Sequence, residues 1–169
     1  QHVTDRDNSR WLLSRALFSV KRLWKGDLKN AKNRQGLTAL HLAAERGHIE
    51  CLQLLLEYRV DTGVLDPDGR TALHWAAGRG HADVIRVLLA SGMSPSLVDA
   101  SGLTACHIGA IKGHVESLQA LKDNVDHVEL AHTLLYAAKN GRDECVRFLL
   151  SLDIGINAVT NCDSTASKL

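Results

Sequence analysis

Aromatic side chains make up only 4% of the 169 residues, and proline occurs twice. An interior poor in rings must be filled by Leu, Ala, Val and Ile at close spacing, which disfavours sandwiches and barrels and favours an all-α class. No apolar run approaches the ~20 residues a membrane span needs, so the sequence predicts a soluble chain with no membrane partner. A signal-like apolar segment is also missing. The four cysteines, at 51, 106, 145 and 162, form neither a CxxC pair nor a metal-ligand spacing. Reduced thiols in an intracellular compartment, cytoplasmic or nuclear, are therefore expected. With 20 Lys and Arg against 19 Asp and Glu, the net charge of +1 gives no ground for nucleic acid as a ligand. No Gly-rich phosphate loop, no G-x-S-x-G and no HExxH is present, so nothing points to catalysis, a cofactor or a small-molecule substrate.

What is present is an apolar fraction of 45%, enough to bury a core, and a charge distribution less even than its sum. Residues 1–35 hold Arg6, Arg10, Arg15, Lys21, Arg22, Lys25, Lys29, Lys32 and Arg34 against Asp5, Asp7 and Asp27. Such a surplus is either a solvated helix face with snorkelling side chains or a contact for an acidic partner.

The main signal is internal repetition. GLTALHLAAERGH (36–48), GRTALHWAAGRGH (69–81) and GLTACHIGAIKGH (102–114) place Gly36, Gly69 and Gly102 at intervals of 33 residues. Thr38, Thr71 and Thr104 stand where a helix needs an N-cap acceptor. Ala43/Ala44, Ala76/Ala77 and Gly109/Ala110 keep that helix thin enough for copies to stack. Gly47, Gly80 and Gly113 end it where a left-handed residue costs least. A second helix follows, with Ile49, Leu52, Leu55 and Leu56, or Val84, Ile85, Leu88 and Leu89, at the spacing of one buried face. Asp66-Pro67-Asp68-Gly69 and Asp99-Ala100-Ser101-Gly102 then supply turn chemistry before the next copy.

The 33-residue T-x-L-H-x-A-A-x-x-G-H unit resembles the ankyrin repeat family. The resemblance implies an all-α repeat solenoid of stacked helix-turn-helix units with β-hairpin fingers, forming one domain over 1–169. Its expected divisions are a degenerate capping unit at 8–33, repeats at 34–66 and 67–99, a shortened repeat at 100–127, a fourth at 128–160, and the start of a truncated unit at 161–169. In the capping unit Leu13, Leu17, Phe18 and Trp24 would seal the array. The fourth copy restores an Ala137/Ala138 doublet only 28 residues after Gly109, with His132 in the threonine position and Leu135 in the histidine position. A cut-down finger is therefore expected, with Val128, Leu130 and Ala131 drawn into a longer helix. The chain is expected to end inside a repeat, as a fragment of a longer protein or with a makeshift cap.

Six of the nine histidines, His41, His48, His74, His81, His107 and His114, recur at two fixed repeat positions. Each position spreads its histidines at one per unit, so they cannot converge on a metal as zinc ligands must; by resemblance the first of each pair bridges neighbouring loops and the second opens the packing helix. Cys51 and Cys145 share a packing-helix position and Cys106 replaces a core leucine, so all three are expected to be buried, and Cys162 exposed.

The resemblance also implies function: a non-catalytic protein-protein interaction module or scaffold, binding a partner protein or peptide on the concave surface of finger loops and first helices. The alternative is a regulatory or targeting segment of a larger enzyme, channel or transcription regulator. The variable positions implied as partner-binding are Lys32, Arg34, Gln35, Leu37, Glu45 and Arg46 in the first full copy. The second gives Leu65, Pro67, Asp68, Arg70, Gly78 and Arg79, the third Val98, Ala100, Ser101, Leu103, Ile111 and Lys112, and the fourth Lys139 and Asn140. Arg34, Arg46, Arg70, Arg79 and Lys112 should line one surface with few acids opposing them, which suits an acidic partner with an apolar anchor; these charges also serve plain solubility. Leu149 and Asn157 have the eight-residue spacing that the family links to asparaginyl hydroxylation at Asn157.

Overall fold

The computed structural model describes residues 27–152. The expected capping helix with Leu13, Leu17, Phe18 and Trp24, the terminal finger, Asn157 and Cys162 lie outside the described residues. A short 3-10 turn, Asp27–Asn30, leads into eight α-helices among them. These are α1 (Ala39–Arg46), α2 (Ile49–Glu57), α3 (Ala72–Arg79), α4 (Ala82–Ala90), α5 (Ala105–Lys112), α6 (Val115–Leu121), α7 (His127–Lys139) and α8 (Asp143–Ser151). The odd-numbered helices pack on one another in chain order and form an inner layer; the even-numbered ones do the same outside it.

The small residues decide the stacking. Ala44, Ala76, Ala77 and Ala110 are fully buried, and a Cβ on Gly109 would lie 3.2 Å from Ser117 Cβ. The stripes Leu52, Val84, Ile85, Leu88, Leu118 and Leu149 fill the space between the layers at 0–1% exposure, each contributing on the order of 1.5–3 kcal/mol by leaving water. One such unit alone leaves its apolar faces open to water, so neighbours stabilise each other. At α7 the second alanine of the doublet, Ala138, is exposed, because no described element packs on that side.

Three inner helices start in the same way. Thr38, Thr71 and Thr104 are extended N-caps, and the imidazole three residues on accepts the threonine backbone N–H at Nδ1 over 3.1–3.2 Å. In the first and third units the hydroxyl also accepts from the histidine backbone N–H. The histidine therefore does what a glutamate does in the usual capping box. α7 departs from this pattern: Asp126, not His132, is its N-cap, accepting from Glu129 N at 2.7 Å. Its 13 residues absorb Val128, Leu130 and Ala131, and the 3-10 turn Lys122–Asn124 stands where a finger would be.

Two expectations are corrected. The fingers contain no strand among the described residues. Each is a turn built on one side chain: Asn33 Oδ1 accepts from the N–H groups of Gln35 and Leu37, Asp66 Oδ1 from Asp68 and Arg70, and Asp99 Oδ1 from Ser101 and Leu103. A side chain satisfying two amides leaves no need for a ladder. Secondly, Cys106 and Cys145 are buried but Cys51 is exposed. Its repeat position faces the preceding unit, as Ser117 Oγ shows by donating to Ala77 O at 3.0 Å. The counterpart of that neighbour for Cys51 falls outside the described residues.

Candidate concave interaction surface

The fingers are tied to one another before any ligand is considered. Lys32 Nζ donates to the Leu65 carbonyl at 2.8 Å, Pro67 lies over Gly36, where a Cβ would come within 2.6 Å of its ring, and Ala100 N donates to Asp68 O at 2.8 Å. Beneath them, His41 Nε2 meets Arg70 O and His74 Nε2 meets Leu103 O, both at 3.1 Å. Because Nδ1 accepts from threonine, each ring is neutral with its proton on Nε2, available for the finger carbonyl of the next unit. Burial pushes His41 and His74 below the ordinary imidazole range, against the opposing influence of those carbonyls.

The third ring of this column differs. His107 is 8% exposed, its Nδ1 accepts from Thr104 N at 3.2 Å, but its Nε2 has no partner. The shortened unit supplies no finger carbonyl, and the Tyr136 ring packs against the imidazole, 4.9 Å away between centroids. Burial, with His132 nearby, lowers His107 to about 4.

The second histidine column binds backward. His81 Nε2 meets Glu45 O at 3.0 Å and His114 Nε2 meets Gly78 O at 3.1 Å. In the fourth unit Arg142 takes the role, donating from Nε to Ile111 O at 2.8 Å. Every such ring is separated from the next by one repeat, and no group of three or more His, Cys, Asp or Glu among the described residues is arranged to hold a metal.

Between fingers and inner helices lies an open cleft of about 680 Å³, lined by Arg70, Trp75, Gly78, Leu103, Ile108 and Ile111 among others. Trp75 Nε1 donates to Asp66 Oδ2 at 3.0 Å, and the Arg70 guanidinium sits 5.9 Å above the indole. Gly78 makes the space: a Cβ there would already be 3.1 Å from Ile108 Cγ2. Trp75 and Ile108 were not evident as surface residues in the sequence. Their signal was the position they share with Leu42, an inner-helix apolar site that holds a different side chain in each of the three copies.

Of the residues expected at the surface, Lys32, Arg34, Gln35, Arg46, Pro67, Asp68, Arg79, Ala100, Ser101, Lys112, Lys139 and Asn140 are exposed, as are Leu65 and Val98. Glu45, Arg70, Gly78, Leu103 and Ile111 are half-buried. Leu37 is buried at 6%, turned into the array from the end of its finger, and offers no surface. Asn140 caps α7 by donating to Tyr136 O.

The expectation of five cations with few opposing acids needs correcting. Arg79 pairs with Glu45 at 2.8 Å, and Arg70 lies 3.5 Å from Asp99 and 3.6 Å from Asp68. The turn that needs an aspartate side chain brings a carboxylate to the same level as the arginine. Burial raises the Asp99 pKa, but the amides of Leu103 and Ser101, with His74 and Arg70, outweigh it and hold the carboxyl below its usual range. Arg34, Arg46 and Lys112 make no ion pair among the described residues.

No described helix is long and apolar enough to cross a membrane. A search of curated proteins returns no match. The family model for ankyrin repeats, in three copies, matches residues 12–99 and 88–161. With that match over most of its length, and stacked helix pairs joined by turn-closed fingers, the chain belongs to the ankyrin repeat family, whose members in general bind other proteins and are in general not catalysts.

Proposed function

We propose that this chain is a non-catalytic interaction module that holds a partner protein or peptide on the concave face formed by the fingers and the inner helices. The observation that carries the reading is the cleft between α3 and α5: an apolar floor of Trp75, Ile108 and Ile111, with Arg79 and Lys112 at its edge. Such a site, apolar below and charged at the margin, has the anatomy of a protein-binding surface. The histidines support a scaffold role, since His41, His74, His81, His107 and His114 each use a ring nitrogen to bond a backbone group. The partner is acidic and carries an apolar anchor, because cations dominate the exposed ends of α1, α3 and α5.

Affinity capture with the 1–169 chain, followed by quantitation of each captured protein, tests this. A variant carrying Arg46→Glu, Arg79→Glu and Lys112→Glu should lose the specific partner, whereas Arg86→Glu on the outer helix α4 should retain it. Equal capture by all three chains would remove the concave face from consideration.

A further inference from the structure

The cations around the cleft specify more than acidity. Resting on the concave-face reading above, we propose that the occupant is an extended segment of a partner protein with a carboxylate at position i, an apolar side chain at i+4 and a second carboxylate at i+6.

Arg46, Arg79 and Lys112 are the last residues of α1, α3 and α5, one per unit at the same repeat position. Arg79 is answered inside the array by Glu45 at 2.8 Å. The two flanking cations are exposed and unpaired among the described residues. The row therefore reads as an open positive site, a neutralised one and another open positive site.

Packed helices stand about 10 Å apart, so Arg46 and Lys112, two helices apart, are separated by about 20 Å. An extended chain advances about 3.3 Å per residue and covers this in about six residues. The cleft lies between the second and third helices, about 15 Å along the row, which corresponds to position i+4 or i+5. Side chains of an extended chain alternate, so only i+4 points the same way as i and i+6. A helical ligand, rising about 1.5 Å per residue, would need about thirteen residues for the same span.

Gly78 supplies the pocket for the anchor. Its repeat position holds Glu45 in the unit before and Ile111 in the unit after. A side chain at 78 would occupy the space beside Trp75 and Ile108.

The test uses the whole chain and two fluorescent nine-residue peptides of one composition on a Ser/Thr/Val background. The matched peptide has glutamate at its second and eighth positions and leucine at its sixth; the isomer has the leucine at its fifth. Anisotropy should show the matched peptide binding at least tenfold tighter. Gly78→Leu, verified as folded by circular dichroism, should abolish the difference. Lys112→Glu should weaken the matched peptide at least tenfold, and a peptide with lysine at the eighth position should restore the loss.

Equal binding of the two isomers, still weakened by Gly78→Leu or Lys112→Glu, overturns the spacing while leaving the concave face as the binding surface. Binding that neither substitution changes overturns both. Failure of the matched peptide to bind, failure of the charge swap, or tighter binding of an oligothymidylate overturns the extended acidic ligand; the capture experiment then decides the surface on its own.

Discussion

The Nε2 of His74 donates to the carbonyl of Leu103 across 3.1 Å, joining the cap of one inner helix to the finger of the next unit. His41 makes the same link to Arg70, and His107, in the same column, makes none. A repeated residue thus has unequal energetic roles, set by what the neighbouring unit offers.

His74→Ala should destabilise the chain by about 2 kcal/mol, since it removes two hydrogen bonds, leaves the buried Thr71 amide unanswered and takes from the Leu103 carbonyl the second of its two donors, the other being Asp99 N. His107→Ala should cost about 1 kcal/mol less, because only its Nδ1 bond is lost. Urea denaturation of the two variants measures the difference, and equal losses would contradict it.

The same rings set a pH dependence. For His107 the folded pKa, about 4, lies below its ordinary 6.5, so between these values the unfolded chain binds more protons. Stability contributed by the neutral ring is whole above pH 6.5, declines as pH falls and is lost by about pH 4; His41 and His74, also lowered, act with the same sign. The decline attributable to His107 is up to about 3 kcal/mol. Denaturant midpoints from pH 7.5 to 4 should show a shallower fall in His107→Leu than in the unsubstituted chain.

Gly78 and Gly80, two residues apart, should respond oppositely to alanine. Gly78 sits within α3, and alanine there gains up to about 1 kcal/mol of helix propensity less the shift demanded of Ile108. Gly80 has φ +80°, and its added Cβ would lie 2.8 Å from His114 Nδ1. Strain and displacement of that ring from Gly78 O should cost more than about 1 kcal/mol. Thermal melts should rise or hold for the first and drop by several degrees for the second.

Thiol labelling distinguishes the described cysteines. Cys106 is buried, and its pKa is pushed up to about 12 by that burial; Cys145 is buried and raised for the same reason. Cys51 is exposed. Brief treatment with iodoacetamide at pH 8, followed by peptide mass mapping, should modify Cys51 and spare the other two until denaturant is added. Rapid labelling of Cys106 in the native chain would contradict the packing of α5 on α7.

The repeat itself was legible because its determinants are local. Thr38, Ala43, Gly47 and their copies act within a few residues of themselves, through caps, volume and backbone conformation, so a 33-residue period exposes them directly. The 28-residue interval before Ala137 likewise announced a lost finger, since a shorter chain cannot hold one. The variable positions were legible as positions, though not as chemistry.

Only the tertiary structure decided which charges remain open. Glu45 and Arg79 are 34 residues apart, Arg70 and Asp99 29, and nothing local says that they meet. The same holds for the unpartnered ring of His107, whose defect lies in a neighbour, and for the cleft at Gly78, which exists because Ile108 comes from the next helix. The sequence by itself determined each unit and that its copies stack closely, because helix ends and small residues encode both. Folding determined the surface that a ligand meets, because pairing between units depends on distances that separate repeats in sequence and join them in space.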